Sequence, residues 1–399
     1  MFPIRGIFQI SRRWCSVTSI RIGVSPLRAK VINSSDLIYL KSDKSVYARL
    51  SDEIRLIASG LSPTSSQIKD KDQFLQRLRN IVTGVIPDAV VSPFGSAMNG
   101  FWSPKSDIDV CVEVPSCRSR SLQTKALRKL ASALHAVGTH YIEPRFGAKV
   151  PIIRWAPRRA EYLASDISIN NSIAVVNSQL VGAYCKLDPR MYDLGMTIKY
   201  WAVCRGINDR SRGTLSSFSL LLMLIHFLQF QTSPPIFPSL QDLAIEHNQP
   251  LSYCDGFDVR FTTDPALIRA EMDRIAPLKN TESTGELLTK FFKYYGYREP
   301  GTVIAIRDLR SFITGNIPTG AYVVDNPFEV GKDVANVSQN QYARIRQEFR
   351  RAHSIMMSNP DGDIMAAVCD RRQPPPPTGT VPRRRPHPLD PSPLSLGIS

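Results

Sequence analysis

A chain of 399 residues is long enough for two hydrophobic cores, and 43% hydrophobic with 21% charged residues is the balance of a water-soluble globular protein. A net charge of +15 favours a polyanionic partner, whether RNA, DNA or an anionic membrane surface. Cysteines at 15, 111, 117, 185, 204, 254 and 369 form no C-x-x-C and no Cys/His cluster at zinc spacing, so a zinc module and a disulfide scaffold are both excluded.

Residues 1–35 contain no Asp or Glu and carry Arg5, Arg12, Arg13, Arg21, Arg28 and Lys30 among Ser, Ile and Phe. That composition predicts a mitochondrial transit peptide and hence a matrix protein. The alternatives are a basic arm that touches RNA and a cytoplasmic protein. Leu40, Val46, Leu50, Ile54 and Ile57 predict a helix over 37–60, and Ser62-Pro63-Thr64 starts another that stops near Gly84. Val90-Val91 begin a strand that runs into a turn at Gly95-Ser96. A second strand holds Asp107, Ile108, Asp109, Val110 and Val112. Side chains at i and i+2 share a face, so Asp107 and Asp109 aim together while Ile108, Val110 and Val112 face a core.

A basic amphipathic helix is expected over 121–137, and further strands over 149–154 and 164–169. In the last of these, Asp166 and Ser168 share one face and Ile167 and Ile169 the other. From Asp188-Pro189 the pattern turns helical. Leu194, Ile198 and Trp201 mark one buried face, and Gly206 is the stop. A helix over 217–230 is capped by Thr214 or Ser216; its apolar run is too short for a membrane span. Helices at 287–294 and 339–356 follow, then a tail with PPPP at 374–377 and RRR at 383–385.

Two convergent carboxylates are the donors that hard Mg²⁺ needs, and a Gly-Ser loop beside them can hold phosphate oxygens. The motif FGSAMNGFWSPKSDID at 94–109 resembles the polymerase-β-like nucleotidyltransferase superfamily, in its noncanonical poly(A) polymerase and terminal uridylyltransferase (TUTase) branch. SDISINNSIAVVNS at 165–178, the DPR…TIKYWA…GTLSSFSLLLMLIHFLQ run, and PPIFPSLQ, LLTKFFKYYG and NPFEV extend the likeness over roughly 36–356. The short architecture and the basic N-terminus look most like the minimal mitochondrial TUTases of kinetoplastids, some of which associate with RNA-editing complexes.

The resemblance implies an α+β protein. Its parts are a transit peptide (1–35), a helix packing on the C-terminal domain (36–60), a mixed-sheet nucleotidyltransferase domain (61–187), a helical poly(A)-polymerase-associated domain (188–358) and a tail (359–399). The active site lies in the cleft between the two domains. It further implies two Mg²⁺ ions, with Mn²⁺ able to substitute, on Asp107, Asp109 and Asp166. Gly95, Ser96, Lys199 and Ser217 then take the triphosphate. Asn177, Ser178, Phe218, Asn326 and Glu329 take the nucleoside, and Lys149 and Arg154 the RNA. Three departures stand out. The family's second phosphate lysine is Val203, with Arg205 the nearest cation to compensate; Asn326 replaces an Asp; and Lys332 stands where uridine-selective relatives carry His. The reading is a template-independent RNA uridylyltransferase that extends single-stranded RNA 3′ ends with UTP. The partner it suggests is a mitochondrial RNA-processing or editing complex. Its alternatives are a poly(A) polymerase using ATP and a non-catalytic RNA-binding member of the family. A small-molecule nucleotidyltransferase fits less of the chain. No membrane and no zinc are expected.

Overall fold

The computed structural model describes residues 45–138, 140–157, 163–299, 302–307, 322–358 and 362–370. The transit-peptide segment, positions 37–44 of the first expected helix and the tail beyond 370 lie outside these residues. The described residues from Val46 onward belong to one compact unit.

Helix α1 (Val46–Leu61) turns Leu50, Ile54 and Ala58 inward at i, i+4 spacing. Helix α2 (Ser65–Val85) opens on a reciprocal cap between Thr64 and Gln67. Strand β1 (Val90–Phe94), the one-turn helix α3 (Ser96–Asn99), β2 (Ile108–Glu113), α4 (Arg120–Ala136), β3 (His140–Arg145), β4 (Ile152–Pro157), β5 (Ser165–Ile169) and α5 (Ser172–Leu187) follow. The five strands form one sheet in the order β1-β2-β5-β4-β3, with only β2 and β5 parallel. Ile108, Val110, Val112, Ile153 and Ile167 are fully buried on it, with Leu78 of α2 and Leu127, Leu130 and Leu134 of α4.

A second core is helical. It comprises α6 (Pro189–Cys204), α7 (Ser217–Phe230), α8 (Leu240–Glu246), a small hairpin of β6 (Tyr253–Cys254) and β7 (Phe257–Asp258), and α9 (Pro265–Ile275). It continues with α10 (Thr284–Tyr297), a short parallel pair β8 (Val303–Ile304) and β9 (Val323–Val324), α11 (Gln339–Ser358) and α12 (Ile364–Val368). Trp201, Phe291, Phe292, Tyr295 and Phe349 are fully buried at its centre, and α1 joins them through Leu50 and Ile54. No helix among the described residues is long and apolar enough to cross a membrane.

One expectation shifts. The strand expected at 149–154 starts at Ile152, because Arg120 binds the carbonyls of Phe146, Ala148 and Lys149 and ties that stretch into a turn. Helix α5 and strand β3 are additions that the sequence pattern does not announce. Helix α5 ends at Leu187, and its Leu180, Val181 and Tyr184 lie in the helical core.

Candidate active site

The sheet register brings the aspartates together. Phe94 pairs with Asp109, Asp109 with Asp166, and Asp166 with Arg154, so these side chains stand in one row across four strands. Asp107, two residues before Asp109, shares its face. Ile108 and Val110 on the other face are fully buried, which fixes the register. Arg154 Nη1 lies 2.8 Å from Asp107 Oδ2 and 3.5 Å from Asp166 Oδ1. Burial raises the Asp109 carboxyl to about 7, with Asp166 and Asp107 adding to the rise and Arg154 and Lys199 opposing it. Burial raises Asp166 as well, against the pull of Arg154. Burial alone would lower Arg154, but Asp107 and Asp166 outweigh it and hold the guanidinium above its usual value.

Gly95 sits at φ +60° where β1 hands over to α3, and a Cβ there would overlap Asp109 Oδ2 and lie 3.3 Å from Cγ. Only glycine brings the loop this close to the carboxylate. Gly95 N–H donates to Ser178 Oγ at 2.7 Å, and that hydroxyl donates to Ala174 O at 2.7 Å. Ser178 therefore locks the loop onto α5. On the same helix Asn177 is 6% exposed and its Oδ1 is buried with no partner. A buried acceptor without a donor is costly, so the amide is set for a ligand.

Lys199 Nζ donates to Phe101 O at 2.7 Å, and burial lowers its pKa to about 8 while Asp109 pulls it back up. Ser217 is the first residue of α7 behind the Ser216 cap, and its hydroxyl pairs with Asn208 Nδ2 at 3.0 Å. Phe218 is half-buried against the helical core. A third group lies in the loop after β9. Asn326 Oδ1 accepts from the N–H of Phe328 and of Glu329 at 3.0 and 3.2 Å, and its Nδ2 donates to Glu329 Oε2 at 2.9 Å. Lys332 pairs with Glu329. Burial pushes the Cys254 thiol of the β6–β7 hairpin up to about 11, and Asp255, Glu113 at the end of β2 and Glu329 add to the rise.

The structure thus joins Gly95, Asp107, Asp109, Asp166, Ser178 and Lys199 in one group. Ser217 and the Asn326–Glu329 pair stand in two others. Arg154 points at the carboxylates, a placement that strand alternation does not reveal. Lys149 is exposed. Arg205 cannot stand in for the missing lysine: it is 8% exposed and bound to both oxygens of Glu348, at 2.7 and 2.9 Å. Asn208, the partner of Ser217, carries no signal in the sequence.

Among the described residues no three carboxylate, histidine or cysteine side chains are already drawn into a closed metal cage. The donor set nevertheless fits a hard divalent ion. It is all carboxylate oxygen, it is in register, and burial first, then the neighbouring carboxylates, raise the proton affinity of Asp109, a cost that a bound cation offsets.

Residues 50–186 match the family described as the central palm domain of mitochondrial-like poly(A) RNA polymerases. The chain is 28% identical over 388 residues to poly(A) RNA polymerase cid11 of Schizosaccharomyces pombe, spanning 93% of this chain and 74% of cid11. It is 31% identical over 322 residues to terminal uridylyltransferase cid1 of the same yeast, spanning 74% of this chain and 76% of cid1. The crystal structure of the Cid1 poly(U) polymerase with MgGTP superposes with a TM-score of 0.68 at 28% identity, covering 81% of this chain and 98% of that one. The fold and site define a polymerase-β-like nucleotidyltransferase. The chain belongs to the noncanonical poly(A) polymerase and terminal uridylyltransferase family, and as such it is an RNA nucleotidyltransferase.

Proposed function

We propose that this chain transfers UMP from UTP to the 3′-OH of single-stranded RNA without a template, with Mg²⁺ on Asp107, Asp109 and Asp166. The observation that carries the transfer reaction is the row of Asp109, Asp166 and Arg154 beside the Gly95 turn. Bound Mg²⁺ neutralises the charge that gathers on the α-phosphate and the departing pyrophosphate. The chain's own groups do the rest. Ser96, Lys199 and the N-terminus of α7 at Ser217 hold the triphosphate, where the helix dipole favours anions. Asp166 Oδ orients the 3′-OH and takes its proton. The O3′–Pα bond forms as the bond from Pα to the bridging oxygen breaks. Asn177 Oδ1 accepts from a ribose hydroxyl.

The choice of UTP rests on the retained Glu329 and the short architecture with its basic N-terminus, and the Glu329–Lys332 pair is compatible with it. The pair sets an acceptor next to a donor, which matches N3–H and O4 of uracil. The second reading is ATP. The same pair can meet N6 and N1 of adenine, Lys332 replaces the His of uridine-selective relatives, and cid11 bears the name of a poly(A) RNA polymerase. Extension of a labelled RNA with each ribonucleoside triphosphate separates them. Preference for UTP supports the first reading, and preference for ATP establishes the second. Under either reading Glu329→Gln raises the nucleotide KM by roughly ten- to a hundredfold with little change in kcat, because a charge-assisted hydrogen bond is worth about 1.5–3 kcal/mol. No extension with Mg²⁺ or Mn²⁺ on any RNA end leaves a non-catalytic RNA-binding role. The acid-free residues 1–35 support the mitochondrial matrix as the site of action and an RNA-processing or editing complex as the partner. A cytoplasmic signal from the tagged full chain would overturn that placement.

A further inference from the structure

Helix α11 carries four arginines, Arg344, Arg346, Arg350 and Arg351, against one acid, Glu348. Glu348 is already taken by Arg205. One face of the helix buries Ile345, Phe349, Ala352 and Met356. Beside it, Arg346 and Arg350 converge on a single main-chain oxygen, their Nε atoms donating to Gly296 O at 3.1 and 2.7 Å. Arg346 Nη2 also donates to Arg298 O at 3.0 Å. These bonds fix the guanidinium groups without supplying negative charge. Among the described residues no carboxylate forms an ion pair with Arg298, Arg346 or Arg350. Tyr297, 50% exposed, lies 5.1 Å from the Arg350 guanidinium and meets His353 edge-on. A groove of about 420 Å³ runs along Tyr342, Arg346, Gln347 and Arg350.

Like charges gathered without acids repel one another, and a polyanion relieves that repulsion. Fixed guanidinium groups interleaved with an exposed aromatic ring are the combination that grips single-stranded nucleic acid, through phosphates and stacked bases. The outward residues Ala343, Gln347, Arg350 and Ser354 are small or polar, and the single exposed Met357 at the far end of the helix is too little apolar surface for a lipid wedge. The helix also starts beside the loop that leads into α7, whose N-terminus is the proposed triphosphate site. Ser338 N–H, next to its first residue, donates to Gly213 O at 2.9 Å, and Gly213 lies just before Ser217. Arg346 and Arg350 follow about 10 to 17 Å down the axis.

We propose that this face of α11, centred on Arg346, Arg350 and Tyr297, binds the phosphate backbone of RNA upstream of the 3′ end being extended. The proposal rests on the RNA-extension reading for what occupies the cleft, but not for its own test. Binding of the full chain to a short and a long labelled single-stranded RNA would be followed by anisotropy across a salt series, for the wild type, R346Q/R350Q and Y297A. Thermal melting would confirm the fold, and R350K would serve as the variant that keeps the charge. The expected result is weaker long-RNA binding in R346Q/R350Q, with the slope of log K against log salt shallower by about 0.7 for each phosphate no longer neutralised. R350K keeps most of the affinity, and the KM for the short primer stays unchanged. Unchanged long-RNA binding in a folded variant would overturn the proposal, as would an equal loss for the short primer. A wild type that binds long RNA through this face yet extends nothing would keep the patch and remove the catalytic reading instead.

Discussion

The two halves of the molecule hold their functional side chains by different means. In the sheet half, Asp109, Asp166 and Arg154 are set by main-chain pairing between strands whose other face is filled with Ile, Val and Leu. In the helical half the core is aromatic, with Trp201 4.7 Å from Phe292 and 5.0 Å from Phe349 between ring centroids. There the candidate base-reading groups hang on a loop braced by its own side chains, Asn326 to Glu329. A register cannot drift without moving a whole strand, whereas a loop tolerates exchange of single residues. The proposed function thus assigns reaction chemistry to the half held by strand pairing and nucleotide choice to the half held by a loop.

The sharpest way to break this division is G95A. A methyl group at φ +60° meets Asp109 Oδ2, so either the loop or the carboxylate must leave its place. Correct placement of the metal and phosphate is worth several kcal/mol, so kcat should fall roughly a thousandfold or more while the fold persists. Single-turnover extension alongside circular dichroism measures both. A variant with normal kcat and only a raised KM would show that the sheet half tolerates displacement as the helical half does.

The pH response sharpens the same contrast. The Asp109 carboxyl has a folded pKa of about 7 against an ordinary value of 3.8. Between these values the metal-free folded state binds the extra proton. Its contribution to stability is full below pH 4 and is lost as pH rises through 7. A divalent ion must displace that proton, so Mg²⁺ affinity should strengthen by up to about tenfold per pH unit as pH approaches 7 and then level off. Calorimetric titration with Mg²⁺ at several pH values reads this directly, and D109N should flatten the curve. Flat affinity in the wild type would mean that the carboxylates are solvated and loosely held.

What the sequence discloses follows the same division. Strand alternation around Asp107 to Val112 and Ser165 to Ile169 is plain, because one buried face imposes period two. Asp188 with Pro189 announces α6, and the Asp188 side chain does accept from Arg190 N–H at 2.9 Å. Helix α5 is harder to see because it begins in Asn-Asn-Ser, and Asn177 and Ser178 break an otherwise apolar face. Its Ile173, Val176, Leu180 and Tyr184 are the available signal. The aim of Arg154 is not legible, since strand order decides which carboxylates stand beside it. Nor is the capture of Arg205 by Glu348, which joins residues 143 positions apart.

The smallest effect separates the halves most cleanly, because each contains the same helix-capping device. At α2, Thr64 Oγ1 accepts from Gln67 N–H at 3.3 Å and Gln67 Oε1 from Thr64 N–H at 2.9 Å. At α7, Ser216 Oγ accepts from Ser219 N–H at 3.0 Å and Ser219 Oγ from Ser216 N–H at 2.9 Å. Removing either cap should cost about 1 kcal/mol and a few degrees of melting temperature. T64A should leave the nucleotide KM unchanged, since α2 reaches the Gly95–Ser96 turn only through Lys71, about two turns beyond the cap. S216A frays the helix end that presents Ser217 to the triphosphate, so it should also raise the nucleotide KM by a few fold with kcat unchanged. Equal stability losses with a KM change confined to S216A would tie the α7 N-terminus to nucleotide binding. A KM change in both variants, or in neither, would leave Ser217 as a residue of the helix start and nothing more.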